Sequence, residues 1–144
     1  MKAVRFHEFG GSDVLRLEEV DDPTPGPGQV VVRVAACALN HLDVDIREGV
    51  SRFPITFPHT NGLEIVGRIE ALGDGVAGWQ EGDRVAPYLL GGGDAFLGVT
   101  APGGYAEKIV CPASQLVRVP DSLADDAAAA LQVAFGTSWH MLFN

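Results

Sequence analysis

The run Pro23-Thr24-Pro25-Gly26-Pro27-Gly28 constrains the fold more than any other stretch of this chain. Proline lacks a backbone donor and fixes φ, and glycine loosens the backbone, so no helix or central strand passes through it. It punctuates a series of short segments rich in β-branched residues with partial period-two alternation, at 1–6 and 14–20 before it and 29–35 after it. Similar segments follow at 63–72, 84–89, 105–111 and 115–119. Short strands with turn signals at this spacing predict a mainly β barrel or sandwich rather than a layered α/β sheet.

Two segments predict helix. Residues 40–48 form a short one, with Asn40 placed to cap it and Asp43 in its first turn, where negative charge meets the helix dipole. Residues 124–143 are alanine-rich and follow Pro120-Asp121-Ser122, a start signal. The end of that segment, from Phe135 to Phe143, is strongly apolar and expects a partner surface.

Composition narrows the function classes. A hydrophobic share of 47% with 20% charged residues is that of a globular domain, and 144 residues suffice for one core. The net charge is −9 and the basic residues are scattered, which excludes the basic patches that nucleic acid or an anionic membrane needs. No apolar run approaches the length of a bilayer span, and Met1-Lys2-Ala3-Val4 enters a strand without an apolar leader. Cys37 and Cys111 make neither a CxxC pair nor a disulfide framework, so a cytoplasmic protein with reduced thiols is expected. Gly91-Gly92-Gly93 lacks a following helix and reads as a flexible loop, while Gly103-Gly104 precedes a strand. Neither suits a nucleotide phosphate.

The stretch from Gly62 to Val76 carries the main resemblance. Gly62-Leu63-Glu64-Ile65-Val66-Gly67 and Gly73-Asp74-Gly75-Val76 stand five residues apart. This is similar to the zinc alcohol dehydrogenase signature G-H-E-x-x-G, five residues, then G-x-x-V, at every fixed position but the histidine, which is Leu63. Pro25-Gly26-Pro27-Gly28, Gly82-Asp83-Arg84-Val85, Gly103-Gly104-Tyr105-Ala106-Glu107 and Leu116-Val117-Arg118-Val119-Pro120-Asp121 extend it in order through the chain. As an ordered set these segments resemble the N-terminal, GroES-like domain of a medium-chain dehydrogenase/reductase, of the zinc-free quinone oxidoreductase kind. The glycines at 73, 75 and 82 read as turn or close-approach positions, and Asp83 as a turn anchor.

The resemblance implies a partly open GroES-like β-barrel with short helices over residues 1–123. From 124 to 144 it implies the start of a crossover helix into a Rossmann domain absent from this chain. In the zinc-dependent branch, residues at the positions of Asn40, Leu63 and Val133 hold the catalytic metal. Leucine and valine are not ligands and a neutral amide is a poor one, so no metal site is expected. Nor does any cysteine lie between Val85 and Gly104 to build a second, structural zinc site. The four histidines, His7, His41, His59 and His140, share no ligand spacing.

Asn40-His41-Leu42-Asp43 resembles the Asn-x-x-Asp segment of zinc-free quinone reductases. That likeness implies a catalytic pocket shaped by Asn40 and Asp43, with Asn40 and Thr137 lining the nicotinamide side. The tyrosine that the family often carries two residues later is Asp45 here. Trp139 is expected to pack within its helix and His140 to be incidental. A quinone or enone is already electrophilic, so hydride transfer to it needs orientation and hydrogen bonds more than a Lewis acid. The expectation is therefore an NADPH- or NADH-dependent oxidoreductase of small quinone, enone or carbonyl compounds, homodimeric as a full-length parent and inactive as this chain alone. The alternatives are a zinc-type alcohol dehydrogenase and a non-catalytic GroES-like binding module.

Overall fold

Strand β3 (Gln29–Ala38) begins directly after the Pro–Gly run and is the strand the others are built around. Val30, Val31 and Val32 are successive and all buried, so both faces of its first half are covered, which suits β-branched side chains. In the computed structural model, which describes residues 1–88 and 96–143, β3 pairs antiparallel with β4 (Glu64–Leu72) and with β6 (Lys108–Pro112). Strands β5 (Arg84–Pro87) and β7 (Leu116–Arg118) complete a five-stranded sheet of order β6-β3-β4-β5-β7. Two bulges interrupt the β3–β4 ladder, one at Val31/Val32 and one between Val34 and Ala36. Bulges bend and twist a sheet, and here they curve it around the core of Ile65, Ile69, Val85 and Ile109.

β1 (Lys2–Arg5) and β2 (Arg16–Glu19) form a separate antiparallel pair. It reaches the rest of the molecule through isolated bridges, Ala3 to Ala106 and Phe6 to His59. The architecture is mainly β, as expected, with all seven expected strands present; most are shorter than expected, β3 runs on to Ala38, and β6 starts later and ends at Pro112. The two sheets do not close into a barrel, because single bridges replace a continuous ladder between them. Gly73 shows what the turn glycines do. A Cβ there would run into the carbonyl of Gly26, so only glycine lets the two loops touch. The Asp83 carboxylate accepts the Gln80 N–H at 3.1 Å and pairs with Arg118 at 3.0 Å, anchoring the turn before β5.

The short helix is α1 (His41–Glu48), capped by Asn40 and ended by Gly49 in the left-handed region at φ 75°. The C-terminal segment is not one regular helix. It comprises α2 (Asp125–Ala130), a π-helical turn (Leu131–Phe135) and α3 (Gly136–Phe143). Ala128 and Ala129 pack on Val66 of β4, and Arg84 of β5 holds the start of α2 through Asp125 at 2.8 Å. Trp139 does not pack inward. It is 65% exposed and rests on Phe143 with ring centroids 4.4 Å apart. Leu131, Phe135, Met141 and Leu142 are exposed on the same segment. No described helix is long and apolar enough to cross a membrane. The Gly91-Gly92-Gly93 loop lies outside the described residues.

Candidate functional site

Asn40 stands between the end of β3 and the start of α1, and its two ends do different work. Its backbone N–H donates to Asp43 Oδ2 at 2.8 Å, the reciprocal bond of a capping box. Its side-chain Nδ2 donates instead to Glu64 Oε2 at 2.9 Å, at the first residue of β4. The other oxygen of Glu64, Oε1, accepts a short bond from the backbone N–H of Val133 in the π-helical turn. One carboxylate, fully buried at 2% exposure, thus ties together three segments that sequence separates by 24 and 69 residues.

Asp43 lies one turn deeper. Its Oδ1 accepts the Gly62 N–H at 2.9 Å, and its carbonyl accepts Asn61 Nδ2 at 2.6 Å. The chain from Asn61 to Glu64 is therefore hung on α1. Burial pushes the Asp43 pKa up, opposed by the N–H groups of Asn40 and Gly62 and by the Tyr105 hydroxyl, while the Glu64 charge adds to the rise. The Tyr105 hydroxyl faces that carboxylate without forming a bond of full geometry, and burial raises its own pKa. Cys37 sits beside Gly62 and Gly104, and burial, then the charges of Asp43 and Glu64, push its thiol up to about 12. A thiol in that setting stays protonated, which fits a packing role. His59 is likewise buried, its Nε2 3.2 Å from the Gly98 carbonyl, and burial lowers its pKa.

Above this layer opens a cavity of about 520 Å³. Leu42, Leu63, Phe96 and Val133 give it apolar walls, and Gly136 brings the backbone of α3 against it. Thr137 and His140 border it from α3, Gln132 from the π-helical turn and Tyr88 from the end of β5. Of the residues that the resemblance singles out, Thr137 borders the cavity, while Asn40 and Asp43 stand behind its wall and reach it through Glu64 and Gly62. His140, expected to be incidental, borders the cavity. Asp45 does not reach inward; its carboxylate meets the exposed His41 at 3.2 Å.

The donor set does not suit a zinc ion. Leu63 and Val133 present only carbon to the cavity, and the Asn40 amide is spent on Glu64. Among the described residues, no three histidine, cysteine or acidic side chains come together as a metal site. Three residues escaped the sequence reading. Glu64 and Tyr105 stood only as parts of the family's motifs, and Gln132 carried no signal. The Asn-x-x-Asp spacing could have suggested the capping box, but the partners of Glu64 lie too far along the chain for any spacing rule.

The chain matches the alcohol dehydrogenase GroES-like domain family over residues 26–121. It is 35% identical over its whole length to a quinone oxidoreductase of Lama guanicoe, of which it covers 41%. It is 37% identical to a synaptic vesicle membrane protein VAT-1 homolog-like protein of Mus musculus, covering 32% of it. Among solved structures, an NAD-dependent alcohol dehydrogenase superposes with a TM-score of 0.91 at 35% identity, with 99% of this chain and 46% of that one covered. A Pseudomonas syringae quinone oxidoreductase gives 0.80 at 34% identity, with 99% and 41% covered. The chain therefore spans less than half the length of these relatives.

Proposed function

Because the chain belongs to the alcohol dehydrogenase GroES-like domain family, as an N-terminal domain of the medium-chain dehydrogenases/reductases, we propose that it is the substrate side of a zinc-independent NAD(P)H oxidoreductase. The acceptor is a small quinone, enone or related carbonyl compound. The observation that supports this most is the character of the cavity wall. Where a metal-dependent site would need ligands, Leu63 and Val133 offer an apolar surface, and the nearby carboxylates of Glu64 and Asp43 are committed to structure. Such a wall suits a flat, uncharged acceptor that is electrophilic without a Lewis acid.

The nicotinamide cofactor, when bound, supplies the hydride. This chain's own residues bind and orient the acceptor. Leu42, Leu63 and Phe96 exclude water from it, and Val133 is held at a fixed height by the Glu64 bond. Thr137 and Gly136, on the exposed face of α3, are the residues that would meet the nicotinamide, since their side of the cavity carries a hydroxyl and a bare backbone. Asn40 and Asp43 are positioning residues in this reading. Residues 124–144 begin the crossover to a dinucleotide-binding domain, whose contacts would make the parent a cytoplasmic homodimer.

Two measurements test the reading. Titration of the chain with cyclohex-2-enone, followed by amide NMR, should shift Leu63, Val133 and Thr137; shifts confined to other surfaces would overturn the site. Metal analysis of the purified chain should find less than stoichiometric zinc, and a full equivalent bound at this cavity would return the protein to the zinc-dependent branch. With NADPH or NADH and a quinone, the chain alone should transfer no hydride.

A further inference from the structure

The amide of Gln132 is bonded at one end only. Its Nε2 donates to the Ile65 carbonyl at 2.8 Å, which fixes which end of the amide is which. Its Oε1 is buried without a partner. A buried acceptor left unmade is a standing cost, and native folds keep few of them without a use. Gln132 also lies in the π-helical turn, an irregularity that often marks functional positions, and it borders the cavity.

The neighbouring polar groups are already committed or solvated. Asn40 Nδ2 and both oxygens of Glu64 are bonded to one another and to Val133. Thr137 and Tyr88 are exposed, at the solvent side of the cavity. Among the described residues that border the cavity, Gln132 carries the buried acceptor that is left without a partner. We propose that Gln132 determines specificity in this cavity by accepting a hydrogen bond from an O–H or N–H that the substrate carries beside its reacting carbonyl. The inference rests on the cavity being the carbonyl site proposed above. Because Oε1 is covered in the free chain, the amide swings toward the ligand as the bond forms. A ligand without the donor leaves the acceptor unpaired, the situation in which hydrogen-bonding sites discriminate most strongly.

The test compares 6-hydroxycyclohex-2-enone, whose O–H sits on the carbon next to the carbonyl, with cyclohex-2-enone on the full 144-residue chain. The hydroxylated enone should bind about tenfold more tightly and shift the side-chain amide signals of Gln132, which the plain enone leaves in place. In Gln132→Met, similar in shape but without the acceptor, the tenfold preference should vanish, whatever the affinity common to the two enones; a preference kept in the variant overturns the inference. Should that variant fail to fold, the comparison on the native chain still decides. Equal affinity of the two enones overturns this inference and leaves the carbonyl site standing. If neither enone shifts the cavity residues, the carbonyl site itself falls, and this inference with it. A loss on Gln132→Met seen for nicotinamide mononucleotide rather than for the hydroxyenone would assign the acceptor to the cofactor and overturn its role in substrate choice.

Discussion

Asp43 and Asp22 are the same side chain in opposite settings. Asp43 is 3% exposed and accepts the backbone N–H groups of Asn40 and Gly62. Asp22 is 54% exposed and accepts from two cations, the Met1 ammonium at 2.8 Å and Lys108. Lys108 also bonds Glu70 at 2.6 Å, and Arg33 pairs with Glu70 at 2.7 Å, so the outer cluster joins β3, β4 and β6 to the segment after β2. Burial drives the Asp43 pKa up, whereas hydrogen bonds from Lys108 and the N-terminus bring that of Asp22 down to about 2. The inner carboxylate is unfavourable as a charge and is kept because it shapes the backbone under the cavity. The outer one is favourable as a charge but holds together only surfaces that water and salt also reach.

The difference predicts a large effect at the first centre. Asp43→Ala leaves two buried N–H donors unpaired and opens a void, and should cost about 3 kcal/mol or more in urea unfolding. Stability within error of the native chain would mean that the inner carboxylate does not organise this region. Glu64→Gln comes next. The amide keeps one acceptor but turns its NH₂ toward either Asn40 Nδ2 or the Val133 N–H, both donors. The expected loss is about 1–2 kcal/mol, with faster hydrogen exchange at the Val133 amide and little change in the β3–β4 ladder. Exchange accelerated equally in the ladder would show that Glu64 supports the sheet rather than the cavity wall.

What could be read in the sequence follows the same division. Strands were legible because β-branched residues alternate over short distances and because the Pro–Gly run stops them. Asn40 was legible as a cap, since capping acts within one helical turn. Glu64 was not, because its partners at Asn40 and Val133 are brought to it only by the tertiary fold. The π-helical turn was hidden for a related reason. The alanine-rich stretch before it favours an ordinary helix, and the extra residue is accommodated where the Glu64 carboxylate takes the Val133 N–H out of the helical pattern. Trp139 was expected to pack within its helix, and there it rests on Phe143. It is exposed because α3 offers it only Phe143.

The smallest effect, and the one that sharpens the comparison most, is expected from Asp22→Asn. Its folded pKa lies below the ordinary value of 3.8, so its contribution is present above 3.8 and is lost as pH falls toward about 2. Asp43 runs the other way. A raised folded pKa means that the folded state holds its proton more strongly, so stability declines as pH rises above 3.8 toward that higher value. Urea midpoints measured across this range should therefore show two opposed slopes in the native chain. Asp22→Asn should remove part of the acid-side loss and change the midpoint near neutral pH only slightly, with the slight change disappearing at high salt because Asp22 itself is exposed. Asp43→Asn should remove the decline on the upper side at any salt concentration, since its surroundings exclude the ions that would screen it. If salt erased the Asp43 slope as readily as the Asp22 one, the inner centre would be open to solvent, and the account of Asn40, Asp43 and Glu64 as the fixed floor of the cavity would fail.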